Sequence, residues 1–288
     1  MDPNFFIVGA PKSATTNISY YLKQNSHVFM PDELEPYYFA RLDLHEGYTR
    51  EVYKDKSKYL ELFKKAKNKI AVGESSPIYL FCPHSASDIK KHFPNSKIII
   101  SLRNPIEISQ SQYFSAVFMK KEEREFGDVI QTSKKLIDNE EFRIDNILEA
   151  GFYSKHIRRF REVFEENQIK IIIFEEYIKN TSQTVNSILK FLGINEEMRF
   201  SESAKGAYRV PKNKISKILL NSKKFRNASR MLIPSVSRQK IGEKYFVDEG
   251  KKPPMLKVDR DYLKNIYESD VRELEEVLER KLPWDDFY

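Results

Sequence analysis

Residues 4 to 22, Asn-Phe-Phe-Ile-Val-Gly-Ala-Pro-Lys-Ser-Ala-Thr-Thr-Asn-Ile-Ser-Tyr-Tyr-Leu, constrain this chain more than any other stretch. Phe5 to Val8 is short, apolar and partly β-branched, the composition of a strand buried on both faces. Ile18, Tyr21 and Leu22 then recur at helical spacing, so the turn between the two segments sits at a helix N-terminus. Backbone N–H groups without intrahelical partners and the positive end of the helix dipole make such a turn an anion site. Lys12 adds a cation there, and Ser13, Thr15 and Thr16 add hydroxyl donors around Ala14, so the expected ligand is a phosphate. The turn is not a Walker A loop, because Gly-x-x-x-x-Gly-Lys-Ser/Thr places a glycine directly before the lysine, whereas Pro11 precedes Lys12.

A 288-residue chain without a linker-like stretch reads as one α/β domain spanning residues 1–288. No run approaches the roughly 20 apolar residues of a membrane span, and Met-Asp-Pro-Asn is not the basic lead of a signal peptide. Cys82 is the sole cysteine, which excludes an intrachain disulfide and fits a reducing compartment; a soluble, cytoplasmic protein is the expectation. The net charge of +7 suits a protein that handles anions. The excess is concentrated between Lys205 and Lys244, where Glu243 is the only acidic residue. That segment is either a solvated basic face or a docking surface for an anionic acceptor or a membrane; no specific nucleic-acid partner is expected.

Further strands follow the first. Lys69 to Val72 reads as a strand ending in Gly73-Glu74-Ser75-Ser76-Pro77, and Lys97 to Leu102 as one running into Arg103-Asn104-Pro105. Lys170 to Phe174 reads as another parallel strand. In open α/β sheets ligands bind beyond the carboxyl ends of the strands, which puts Glu74, Ser75 and Ser76 at the same cleft as the phosphate turn. Ser111 lies eight residues after Arg103. An arginine at a strand end and a serine two turns into the next helix can converge on one phosphate, the arginine through a bidentate fork. Amphipathic helices are expected over 57 to 67, across 112 to 150, from Gly151 to Phe164, from Thr184 to Leu192 and from Leu263 to the Pro283-Trp284 pair. Glu35 precedes Pro36, which bars it from helical geometry and predicts an extended turn.

Gly9-Ala10-Pro11-Lys12-Ser13-Ala14-Thr15-Thr16 resembles the 5′-phosphosulfate loop of sulfotransferases that use 3′-phosphoadenosine 5′-phosphosulfate (PAPS), with Ala14 where that family usually has glycine. Arg103, followed by Asn104-Pro105 and with Ser111 eight residues beyond it, is similar to the family's 3′-phosphate motif. The resemblance implies a P-loop-like α/β fold, with a central parallel sheet flanked by helices on both faces. It implies transfer of a sulfuryl group to an acceptor hydroxyl or amine, of a glycan, lipid or small metabolite, with adenosine 3′,5′-bisphosphate (PAP) as product and no metal required. Glu35, in Glu35-Pro36-Tyr37-Tyr38-Phe39, matches the family's general base, with Glu74 as the alternative. Lys12 becomes the cation that meets charge on the departing phosphate oxygen. Lys205 and Gly206 match a loop that closes over the 3′-phosphate end. Two other classes stay open: a P-loop phosphotransferase, which would need magnesium, and a non-catalytic polyanion binder using the 205–244 segment.

Overall fold

The structure is a computed structural model that describes residues 1–32, 35–41, 53–118, 122–198, 209–211, 247–249 and 253–288. In chain order the main elements are β1 (Phe5–Gly9), α1 (Thr15–Leu22), β2 (Val28–Phe29), α2 (Lys56–Glu61), β3 (Ala71–Ser75), α3 (Ser85–His92), β4 (Lys97–Leu102), α4 (Pro105–Phe118), α5 (Phe126–Asp138), α6 (Tyr153–Arg161), β5 (Ile169–Ile173), α7 (Phe174–Tyr177), α8 (Thr181–Phe191), β6 (Arg209–Pro211), β7 (Val247–Glu249) and α9 (Lys257–Leu278). The first five strands form one sheet in the order β2-β3-β1-β4-β5, parallel at every pairing. β6 and β7 pair separately and antiparallel.

Strand alternation divides the core in two. Phe5 and Ile7 of β1, with Ile99 and Ile172, pack on one face against Ile18, Tyr21 and Leu22 of α1 and Val185, Ile188 and Leu189 of α8. Phe6 and Val8, with Ile98 and Ile100, pack on the other face against Ile89 of α3, Ile157 and Phe160 of α6, and Leu263, Val271 and Leu274 of α9. A sheet covered on both faces needs strands that are apolar throughout, which is why β1 and β4 read as nearly unbroken apolar runs. Among the described residues no helix is long and apolar enough to cross a membrane.

Several boundaries differ from the sequence reading. β3 starts at Ala71 and runs through Glu74 and Ser75, with Gly73 inside it, not beyond its end. A Cβ at Gly73 would lie 2.4 Å from the Phe5 carbonyl oxygen, so the glycine marks close approach to β1. β2, only two residues long, carried no pattern to read. The helix expected over 57 to 67 is α2, capped by Asp55 accepting from the Lys58 amide (2.8 Å) and ending at Glu61. The stretch expected to be helical to residue 150 stops at Asp138. There the chain folds back, because Asn146 bonds the Ser133 carbonyl (3.0 Å) and the Leu148 amide (3.0 Å).

Candidate active site

The turn after β1 is shaped before any ligand is considered. A Cβ on Gly9 would stand 2.5 Å from Leu80 Cβ, so glycine is the residue that lets β1 pass under the 77–80 turn. Ala10 then donates its amide to the Ser101 carbonyl of β4 (2.6 Å), and Ser101 Oγ donates to the Ser13 carbonyl (2.6 Å). Lys12 and Ala14 both take left-handed backbone conformations, with φ of 65° and 64°. A side-chain-bearing residue pays about 1–2 kcal/mol for that region, and Ala14 occupies the place where the sequence resemblance expects glycine. Ala14 is the N-cap of α1 and makes no side-chain cap bond.

Ser13 is fully buried, and its Oγ has no hydrogen-bond partner among the described residues. Buried hydroxyls are ordinarily paired, and beside the start of α1 and the exposed Lys12 this one has the surroundings of an anion site. Thr15 is buried and Thr16 exposed at the same helix start. These residues fit the phosphosulfate end of PAPS.

Arg103 leaves the end of β4 and reaches back to this turn, donating Nη1–H to the Lys12 carbonyl at 3.1 Å. Its guanidinium lies over the Phe174 ring (4.5 Å) and 3.8 Å from Glu107. Its carbonyl accepts from Tyr153 Oη at 2.7 Å. Asn104 caps α4 through Ile106 N–H (3.0 Å), donates Nδ2–H to Asp286 (2.7 Å), and donates its amide to Glu175 (3.0 Å). The other oxygen of Glu175 accepts from the indole N–H of Trp284 at 2.9 Å, so the chain's C-terminal segment braces the Arg103 corner. Ser111 sits half-buried on α4. Lys205, Gly206 and the basic run to Lys244 lie outside the described residues, apart from the backbone of Arg209 to Pro211.

The two glutamates are separated by the structure more sharply than by residue type. Glu74 is 1% exposed, not at a cleft mouth. Its carboxylate accepts from Ser76 Oγ (2.6 Å), Tyr79 Oη (2.8 Å) and Tyr59 Oη (3.1 Å). Burial pushes its pKa up to about 7, the three hydroxyls pull it down, and the neighbouring Glu35 charge adds a smaller upward push. Burial, then the Glu74 charge, holds both phenols well above their ordinary range, which keeps them hydrogen-bond donors. Glu35 is half-buried and accepts from Tyr37 Oη. Its φ is 62°, so Pro36 does keep it out of the helical region, but in a left-handed turn and not the extended one expected. Tyr37 N–H donates to Ser76 Oγ at 3.2 Å, which ties this loop to the carboxyl end of β3. Loops 10–14, 35–41, 76–80 and 103–104 thus gather at the carboxyl ends of β1, β3 and β4.

A sequence-family model described as Sulfotransferase domain matches residues 2–277. The chain belongs to that family. A crystal structure of a sulfotransferase from Alicyclobacillus acidocaldarius superposes with a TM-score of 0.74 at 25% identity, covering 98% of each chain. A mouse sulfotransferase solved with PAP shares the fold, with a TM-score of 0.53 at 14% identity, covering 96% of this chain and 87% of that one. Among curated relatives, human Carbohydrate sulfotransferase 15 is 22% identical over 245 residues, covering 67% of this chain and 44% of the relative. The membrane-associated sulfotransferase kil1 of Dictyostelium discoideum is 32% identical over 120 residues, covering 41% of this chain and 24% of the relative. The chain therefore spans less than half the length of these curated relatives.

Within this sulfotransferase fold, sequence reasoning left out the residues that hold the site together. Tyr37, Tyr59 and Tyr79 contact the glutamates, and Tyr153, Glu175 and Trp284 fix the Arg103 corner. Tyr37, Tyr79 and Tyr59 lie 2, 5 and 15 residues from the glutamates they contact, whereas Tyr153 lies 50 positions from Arg103 and Glu175 lies 109 from Trp284. Tyr37 and Tyr153 carried a signal, the first within Glu35-Pro36-Tyr37-Tyr38-Phe39 and the second as the tyrosine of Gly151-Phe152-Tyr153.

Proposed function

We propose that this chain transfers the sulfuryl group of PAPS to a hydroxyl or amine of a glycan or small-molecule acceptor, releasing PAP. The carrying observation is the orphaned, fully buried Ser13 hydroxyl, set between Lys12 and the uncapped start of α1. In this reading the amides of residues 13–16, the Ser13 and Thr hydroxyls and Lys12 hold the 5′-phosphosulfate. Arg103 and Ser111 hold the 3′-phosphate, and Arg103's bond to the Lys12 carbonyl couples the two ends. PAPS, when bound, supplies an activated sulfuryl group with a phosphate leaving group. Glu35 takes the acceptor's proton as the nucleophile approaches sulfur, and Lys12 stabilises the negative charge that grows on the departing phosphate oxygen. Lys205 and Gly206 close over the 3′ end. A glycan acceptor is favoured by the likeness to Carbohydrate sulfotransferase 15 and the heparan sulfate N-deacetylase/N-sulfotransferases.

The test is incubation with ³⁵S-PAPS and a cell extract fractionated into glycans, lipids and small metabolites. Label in the glycan or small-metabolite fraction, abolished by Lys12→Ala, is the expected result. Label confined to lipids would overturn the acceptor class, and no acceptor-dependent label in any fraction would overturn the activity.

A further inference from the structure

The loop carrying Glu35 is held in an unfavourable shape. Glu35, Tyr37 and Arg41 all have left-handed φ values, of 62°, 55° and 46°, and none is glycine. Such a run persists only where the surroundings over-determine it. The restraints converge on one atom group. Tyr37 N–H donates to Ser76 Oγ, which donates to Glu74 Oε2. Phe39 N–H donates to Tyr79 Oη (3.2 Å), which donates to Glu74 Oε1. Between them the Tyr38 ring stacks on Tyr59 at 4.5 Å and 12°, and Tyr59 Oη donates to the same Glu74 oxygen. Three consecutive loop residues therefore each rest on a side chain whose hydroxyl hydrogen points at Glu74.

The choice of a carboxylate explains the polarity. A hydroxyl has one hydrogen and two lone pairs, and an ionised carboxylate only accepts. With Glu74 taking all three hydrogens, the lone pairs of Ser76 and Tyr79 are left facing outward for the loop amides. A buried carboxylate is a poor choice for stability alone, since burying such a charge is costly without full hydrogen bonding. Glu74 is also rigidly placed, because it registers with Phe6 of β1 in the parallel sheet.

We propose that Glu74 is a positioning residue, a hub that orients the Ser76, Tyr79 and Tyr59 hydroxyls so that they fix the 35–41 loop and present Glu35 to the acceptor. Tyr37 completes the path, since its amide is held from Glu74's side and its phenol donates to Glu35. The functional half of this inference rests on Glu35 as the general base; the hold on the loop does not.

Amide-resolved hydrogen exchange on the full chain separates the two halves. Ser76→Ala should speed exchange of the Tyr37 amide, and Tyr79→Phe that of the Phe39 amide, each about tenfold for one lost hydrogen bond. Glu74→Gln, which can donate to one hydroxyl, should speed both. Glu35→Gln should leave both amides as they are. Turnover is read in parallel as ³⁵S-sulfate released from ³⁵S-PAPS with water as acceptor, and PAP affinity by titration. The three hub variants should lower kcat by about 10²-fold, the effect of a small misplacement, with PAP affinity unchanged. Unaltered exchange in Ser76→Ala and Tyr79→Phe would overturn the hub even if Glu74→Gln fails to fold. PAP affinity falling in step with kcat would overturn the positioning role, because it would mark general loss of structure. Normal turnover in Glu35→Gln with exchange accelerated in the hub variants would overturn Glu35 as base while upholding the hold of Glu74 on the loop.

Discussion

The loop at 10–14 and the loop at 35–41 both place non-glycine residues in the left-handed region, and they are held there by different means. The first is fastened through main-chain carbonyls and amides by β4: Ser101 carbonyl to Ala10, Ser101 Oγ to Ser13, and Arg103 to Lys12. The second is fastened through side-chain hydroxyls that end on the buried Glu74. The second hold passes through a carboxylate whose pKa lies at about 7, so it responds to titration near neutral pH. The contrast also divides the proposed chemistry, since one loop grips the nucleotide and the other presents the base.

The largest effect should come at the second loop. Glu35→Gln is expected to lower kcat by roughly 10²–10⁴-fold while PAP affinity stays the same, measured by turnover and titration side by side. Glu74→Gln should cost less. If Glu35→Gln turns over normally and Glu74→Gln does not, the base has been assigned to the wrong glutamate.

The next effect distinguishes the loops by pH. Glu74 has a folded-state pKa of about 7 against an ordinary 4.5, so the folded chain holds this proton more tightly than the unfolded chain. Its contribution is fully present below about pH 4.5 and is lost as pH rises through about 7, at up to about 3 kcal/mol for a shift of this size. Asp270, raised by burial to about 6, acts with the same sign in a lower window. Denaturant unfolding should therefore show stability falling between pH 5 and 8. In Glu74→Gln the upper part of that fall should vanish and the Asp270 part remain. A wild-type slope surviving intact in Glu74→Gln would remove the titrating hub from the comparison.

A smaller effect sharpens the role of the first loop. PAP should raise Tm more than adenosine 5′-phosphate does, and Arg103→Ala should abolish the difference, a loss of about 1.5–3 kcal/mol per charge-assisted hydrogen bond. Lys12→Ala should instead lower kcat, because it meets charge that grows during transfer. The reverse pattern would mean that the two ends of the nucleotide have been exchanged. The smallest effect sets strain in the two loops against each other. Ala14→Gly relieves a left-handed residue at some gain in unfolded-chain freedom, for a net stabilisation of about 0.5–1 kcal/mol in denaturant unfolding. Tyr37→Gly relieves the same strain but should destabilise, because the buried ring and the phenol bonded to Glu35 are lost with it. Equal stabilisation by both would show that the 35–41 loop needs no side-chain restraint.

What the sequence determined by itself was whatever depends on neighbours in the chain. β1, the phosphate turn and the start of α1 lie within one continuous stretch, and β4 runs from Lys97 to Leu102 as its apolar pattern requires. That Arg103 follows β4 and Ser111 lies on α4 was legible for the same reason, since a strand end and the next helix fix their places. The tertiary structure decided what depends on contacts between distant segments. Gly73 read as a strand end because local pattern does not show how closely β1 packs on it. Glu74 and Glu35 were equivalent as residue types. They became a buried hub and a half-buried carboxylate only when β3 was packed into the sheet, Tyr59 was brought onto Glu74, and the Tyr37 and Phe39 amides were docked on Ser76 and Tyr79 from 39 and 40 residues away. A carboxylate's role is set by its burial and its donors, and those are properties of the packed fold.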